Sequence, residues 1–285
     1  MAALRYRTQV DLTVNSDLSF WEQTGLEVID IDDPAAFAGR RTVPREVSRQ
    51  LDGMQRIARA FVSEPDSILQ VLVDSAIELC GADSAGISLE KDDRTDDSFY
   101  HWVATAGQYS GFMDAMLPRY PSACGICLER GRPQLFRVGK KFFEIMSVEA
   151  PLISDGLLFP WQVEGMRGTI FVMAHGRDQA FDAEDCRIMQ TLADFAGMAM
   201  RQQRQQRQLV EQEGAKAAAA MANRLAHRIN NPLQSLTNIL YMAAEGYSDL
   251  DAKTLGQQAS ADLHRLSVTV QQLLALPYRQ SGEGT

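Results

Sequence analysis

His227, Asn230, Asn231 and Pro232 lie within a stretch whose apolar residues, Leu225, Ile229, Leu233, Leu236 and Leu240, recur every three or four positions. That period is one stripe of an α-helix. At about 100° per residue, His227 points away from the stripe, so its imidazole should face water. Pro232 removes a helical hydrogen bond and crowds the preceding turn, which predicts a kinked or loosened helix just after the histidine. A neutral imidazole is a competent nucleophile near neutral pH. Asn231 sits one turn after His227 on the same face and is the natural supporting polar group.

A second chemical candidate is Cys124-Gly125-Ile126-Cys127, which has the C-x-x-C spacing of redox and metal sites. A tetrahedral metal needs a second ligand pair at comparable spacing, and Cys80, Cys186 and the histidines are scattered. No metal is expected, and the pair reads as small, semi-buried residues in a loop. Around it, residues 105–155 form a long connection with little period of their own, the usual character of a functional lid. Tyr109, Phe112, Met113, Met116, Tyr120, Phe136, Phe142, Phe143 and Met146 could line an apolar cavity there, although core packing is the commoner fate of such residues. Cys124, Cys127, Phe112 and Tyr120 are the candidate pocket. Arg119, Arg130, Arg132 and Arg137 could meet an anionic ligand, with solvated surface as the default.

The elements that must position these groups follow from periodicity. Helical patterns run from Glu46 to about Ser63, through Leu51, Met54, Ile57, Ala58 and Phe61, and from about Ser67 to Leu79, stopped by Gly81. Strand patterns cover residues 85–90, 99–104, 157–163 and 168–174, read as two hairpins. Residues 26–34 are either a short strand stopped by Asp32-Asp33-Pro34 or an extension lying on the domain that follows. Asp182, with Asp185 three residues on, can cap a helix that has no firm stop before the histidine. Its polar run at residues 201–208 reads as a connector, and the piece from Asp182 to Pro232 would span about 75 Å if continuous. A further helix carries Leu255, Ala259, Leu263, Leu266, Val270 and Leu273 at steps of three and four. A short turn between two amphipathic helices makes an antiparallel hairpin, and one hairpin cannot cover both stripes. A second copy would complete a four-helix bundle, which predicts a homodimer.

The expected class is α+β: an antiparallel sheet with flanking helices, then a long connecting helix and a helical hairpin. The expected divisions are an N-terminal extension at 1–45, a sensor-like domain at 46–200, a helical connector at 201–215, the histidine hairpin at 216–278 and a tail at 279–285. A chain of 285 residues with 45% hydrophobic content can supply such cores. Its net charge of −9 argues against nucleic acid and against anionic membranes. No apolar run reaches the roughly 18–20 residues needed to span a bilayer, and residues 1–14 lack a secretory core, so a cytoplasmic location is expected.

His227 followed by Asn230-Asn231-Pro232-Leu233 resembles the H-box of bacterial sensor histidine kinases. The resemblance covers residues 216–278 and implies that His227 is phosphorylated and passes its phosphoryl group to an aspartate on the receiver domain of a response regulator. It also implies that Asn231 helps position water for dephosphorylation of that partner. The element order of residues 47–200 resembles a GAF domain, together with Gly107, Pro121-Ser122-Ala123-Cys124-Gly125, Leu128-Glu129-Arg130-Gly131-Arg132-Pro133, Gly168-Thr169-Ile170 and Phe181-Asp182-Ala183-Glu184-Asp185. That family implies a small-molecule ligand between the sheet and its covering loops. The Cys-His pair by which photoreceptor relatives attach a bilin is missing after Cys124 and Cys127, so covalent chromophore attachment is not expected. Arg228 stands where the kinases have Glu or Asp, and an always-charged guanidinium cannot accept the imidazole proton. No phosphate-cradling Gly-rich loop follows Tyr278, so no ATP site is expected in this chain, and the phosphate donor would be a cognate histidine kinase or a domain outside it. An adaptor or inhibitor of a partner kinase or regulator is the alternative.

Overall fold

The computed structural model describes residues 18–33, 36–40, 42, 46–245 and 252–274. The chain divides into two compact units, residues 1–205 and 206–285. The first unit opens with α1 (Leu18–Thr24) and β1 (Leu26–Asp30), followed by α2 (Val47–Ser63), α3 (Ile68–Cys80), β2 (Ser84–Glu90) and β3 (Tyr100–Gly107). It continues with β4 (Met116–Leu117), α4 (Ala123–Arg130), β5 (Gln134–Val138), α5 (Lys140–Met146), β6 (Ile153–Val163) and β7 (Met166–Ala174). The seven strands form one antiparallel sheet in the order β1-β5-β6-β7-β2-β3-β4.

Strand alternation divides the core into two layers. Leu157, Phe159, Trp161, Ile170, Val172 and Ala174 join α2, α3 and the start of α6 (Ala183–Ala244) on one face. Their neighbours Leu158, Phe171 and Met173 turn to the other face, with Leu26, Phe136, Val138 and Phe142. The β6–β7 turn is Glu164-Gly165, both at positive φ (47° and 81°), the geometry of the tightest hairpins. Each fully buried large side chain in these layers, Phe159 and Phe171 among them, contributes about 1.5–3 kcal/mol.

Two expectations need correction in this unit. The buried face of α2 is Gly53, Ile57 and Ala60, whereas Leu51 and Ala58 are exposed. The connection at 105–155 is also far from featureless: β4, α4, β5 and α5 are each too short to show a period of their own. Ser122 caps α4 by accepting a hydrogen bond from Gly125 N at 3.2 Å, and Gly131 ends it in the left-handed conformation. Cys124 and Cys127 therefore lie on a helix, one turn apart, rather than in a loop.

Residues 26–30 form the edge strand β1, paired with β5. Arg40 anchors the segment that follows it. The guanidinium donates from Nη1 to Asp155 Oδ2 (2.6 Å) and from Nη2 to Asp155 Oδ1 (2.9 Å), with further bonds to the carbonyls of Ala36 and Phe181. Asp155 is almost fully buried.

α6 begins with a reciprocal cap. Asp182 Oδ1 accepts from the N–H of Glu184 and Asp185, and Asp185 Oδ2 accepts from Asp182 N. In the first unit, Ile188, Met189, Leu192, Ala193, Ala196, Ala199 and Met200 bury the helix's apolar stripe. In the second unit α6 runs through Pro232 without a break, and this proline is buried. The second unit also contains α7 (Ala252–Leu274). Along α6 in this unit the covered positions are Leu225, Ile229, Pro232, Ser235, Leu236, Ile239 and Met242, and along α7 they are Leu255, Ala259, Asp262, Leu266, Val268 and Thr269. Leu233, Leu240, Leu263 and Val270, assigned by sequence to the same stripes, are exposed. The side chain of Leu273 and the turn at 246–251 fall outside what the structure describes. No helix among the described residues is long and apolar enough to cross a membrane.

Candidate functional site

The second face of the sheet encloses a cavity of about 120 Å³. β5, β6 and β7 supply Phe136, Val138, Leu158, Phe171 and Met173, while Trp102 comes from β3. α4 contributes Ala123 and Cys124, and α5 contributes Phe142, Phe143 and Met146. Tyr109, Phe112 and Met116 close it from the β3–α4 connection, and Leu26 of β1 adds a wall from the N-terminal segment. That segment is held against α5 by a bond from Gly139 N to Gly25 O (2.8 Å) and another from Lys141 Nζ to Glu22 O. Gly25 has φ +66°, and a Cβ there would lie 2.7 Å from Phe142 N, so only glycine permits the approach.

Two of the four pocket candidates, Cys124 and Phe112, line this cavity. Cys127 is fully buried in the same cluster but beneath the lining, its Sγ 3.4 Å from Arg132 O and 3.8 Å from Leu158 O. Tyr120 is 45% exposed and outside the lining. Tyr109, Met116, Phe136, Phe142, Phe143 and Met146 do line it, whereas Met113 does not. Leu26, Trp102, Val138, Leu158, Phe171 and Met173 were not foreseen as lining. The signal that could have found the strand residues is alternation: Phe136 and Val138 of β5, and Phe171 and Met173 of β7, face the cavity two residues apart.

The arginines flanking the pocket candidates are engaged elsewhere. Arg130 donates to Gln134 Oε1 (2.6 Å), Arg132 pairs with Asp30 (2.5 Å) and Arg137 with Glu27 (2.6 Å). The Arg119 guanidinium lies over the Phe99 ring at 5.5 Å. Cys124 Sγ accepts from Thr169 Oγ1 at 3.3 Å. Burial pushes the Cys124 and Cys127 thiols above the ordinary range, so both are held as thiols; the nucleophilic and metal-binding form is the thiolate. Among the described residues no group of three or more His, Cys, Asp or Glu could hold a metal ion.

These buried acids set an alkaline limit on stability. Burial raises Cys124, Cys127, Tyr100 and Tyr109, and Cys186 is pushed up to about 12. The unfolded chain loses their protons first, so their contribution is complete below the ordinary thiol range and declines above about pH 9. Urea unfolding followed from pH 7.5 to 10.5 should show a falling midpoint. Each such group adds up to about 1.4 kcal/mol of loss per pH unit, and Cys124→Ala should make the fall shallower.

In the second unit His227 is exposed on α6. Asn231, one turn on, is exposed too and borders a groove of about 530 Å³ between α6 and α7. Gln234, Ser235 and Asn238 from α6, with Thr254 and Gln258 from α7, line that groove together with the apolar Ile239, Met242 and Leu255. Arg228 is exposed beside the histidine. Within α7, Asp262 is buried, with Oδ1 3.3 Å from Arg265 and Oδ2 without a hydrogen-bond partner among the described residues.

Comparison with known proteins fits the first unit. Residues 62–201 match the family model of the GAF domain. The GAF domain of an Acinetobacter phosphoenolpyruvate-protein phosphotransferase is similar at 17% identity, covering 54% of this chain and 93% of that one, with a TM-score of 0.43. The GAF domain of the corresponding Coxiella burnetii protein is 18% identical over 56% of this chain and 98% of that one, TM-score 0.43. A segment of a methyl-accepting chemotaxis protein is 17% identical over 53% and 97%, TM-score 0.41. No curated protein matches the chain. With strands β2 to β7 of the antiparallel sheet, helices α3, α4 and α5 and most of the cavity wall lying within the matched residues, this chain carries a GAF domain at residues 62–201.

Proposed function

We propose that this chain is a signal-transduction sensor of the two-component type, in which the GAF cavity controls a dimeric helical hairpin and His227 receives and passes on a phosphoryl group. The observation that carries the reading is the placement of His227: exposed on α6, one turn before Asn231, in the His-x-x-Asn-Asn-Pro-Leu pattern. In the forward step an imidazole nitrogen forms a bond to phosphorus as the donor's P–O bond breaks, and the ring proton leaves to a base. In the return step a receiver-domain aspartate oxygen displaces the imidazole. Arg228 cannot take the proton, so the base and the donor would come from a cognate kinase or from a domain outside residues 1–285. Ligand seated in the cavity would bias the position of α6 through the sheet between them, whose opposite face packs against the helix's first turns.

The hairpin's partner would be a second copy. Leu233 and Leu240, and likewise Leu263 and Val270, are exposed and seven residues apart on their helices, the spacing of a bundle seam. The proposal is tested by incubating the chain and its His227→Ala variant with a cognate kinase, radiolabelled ATP and the receiver domain. Labelling of the parent chain alone is expected. Equal labelling of both would remove His227 from the pathway.

Arg228 also favours a second reading, in which the hairpin binds and restrains a partner kinase or regulator without receiving phosphate. Signalling in cells that survives His227→Gln but not disruption of the exposed seam would select it.

A further inference from the structure

The cavity of the GAF domain has walls specific enough to name the chemistry of what it holds. Its lining is hydrocarbon, aromatic carbon and sulfur, with no Lys, Arg, His, Asp or Glu. The four arginines that could have met an anion are bonded to Gln134, Asp30 and Glu27 or lie over Phe99. A carboxylate or phosphate entering this space would shed its hydration without a counter-charge, a cost of several kcal/mol. Charged ligands are thereby selected against.

Size and polarity narrow the class further. A volume of about 120 Å³ compares with the roughly 150 Å³ apolar cavity known to stay dry and bind benzene. Trp102 lies with its ring centroid 5.0 Å from that of Phe171 and 6.3 Å from that of Phe112, all three in the lining, an environment that favours offset or edge contacts with another ring. The Tyr109 hydroxyl is already committed to Pro151 O at 2.7 Å. The Trp102 indole N–H, without an acceptor among the described residues, is buried away from the cavity surface. Neither group is offered to a ligand.

The geometry points to an uncharged, single-ring aromatic molecule as the ligand of this cavity, an inference that rests on the cavity being the sensory site. Its ring faces contact Phe112, Phe171 and Met173. Leu26, which lies outside the segment matched to the GAF family, is part of the same wall.

Three probes of similar shape test this by titration calorimetry on the full chain at pH 7.5: acetophenone, which has an acceptor; ethylbenzene, which lacks one; and benzoate, which is charged. Acetophenone should bind at least about tenfold more tightly than benzoate, equivalent to about 1.4 kcal/mol. Ala123→Leu fills the cavity and should weaken acetophenone and ethylbenzene by more than about tenfold, with Ala150→Leu as a second filling variant if the first fails to fold. Benzoate binding as tightly as acetophenone would overturn the ligand class and leave a working pocket. No binding by any of the three would overturn the ligand class and the sensory role of the cavity together.

Discussion

Replacing Asp155 with Ala should destabilise the first unit by about 3–5 kcal/mol, because it strands a mostly buried guanidinium with no carboxylate. Asp155 accepts both arms of Arg40 and also the Phe181 N–H, so one substitution breaks three hydrogen bonds. The pair joins the segment at residues 36–40 to β6 and to the residues just before α6. Denaturant unfolding measures the loss. The double variant Arg40→Met with Asp155→Leu should recover most of it, since a buried ion pair is replaceable by apolar residues of similar volume while half of one is not. If the single variant lost less than about 1 kcal/mol, the pair would be no more important than a surface bridge.

The second large effect concerns the hairpin. Placing Glu at both Leu240 and Leu263 should weaken self-association by about a hundredfold or more, since like charges brought together across an interface cost several kcal/mol. Light scattering after size-exclusion chromatography would report the change from dimer to monomer. Both residues are more than half exposed, so the hairpin of a single chain should tolerate the substitutions. An identical mass for parent and variant would show that the exposed seam faces something other than a second copy.

Fold class and element order were legible because the long elements carry their own periods. The α3 pattern ends at Gly81, which does adopt the left-handed cap, and the Asp182–Asp185 pair does form a reciprocal box at the start of α6. The middle of the domain was opaque for a physical reason. β4 has two residues and β5 five, and such segments are placed by pairing with distant strands, which a local window does not contain. The stripes of the hairpin were readable as stripes, but periodicity cannot say how a broad apolar face is divided. Pro232 and Ile239 turned inward, while Leu233 and Leu240 remained outside. The cavity was half legible: aromatics and methionines drew attention to it, and strand residues such as Trp102 and Phe171 needed the sheet to show where they converge.

The edge strand β1 changes how this protein should be dissected. A fragment cut at residue 62 would remove Leu26 from the cavity wall and uncover the backbone N–H and C=O groups of β5 along their whole length. Uncovered edges invite pairing with other chains. Such a fragment would report a leakier pocket and stickier behaviour than the protein has, and its ligand preferences would describe the truncation. Faithful measurements on the isolated GAF domain start no later than α1.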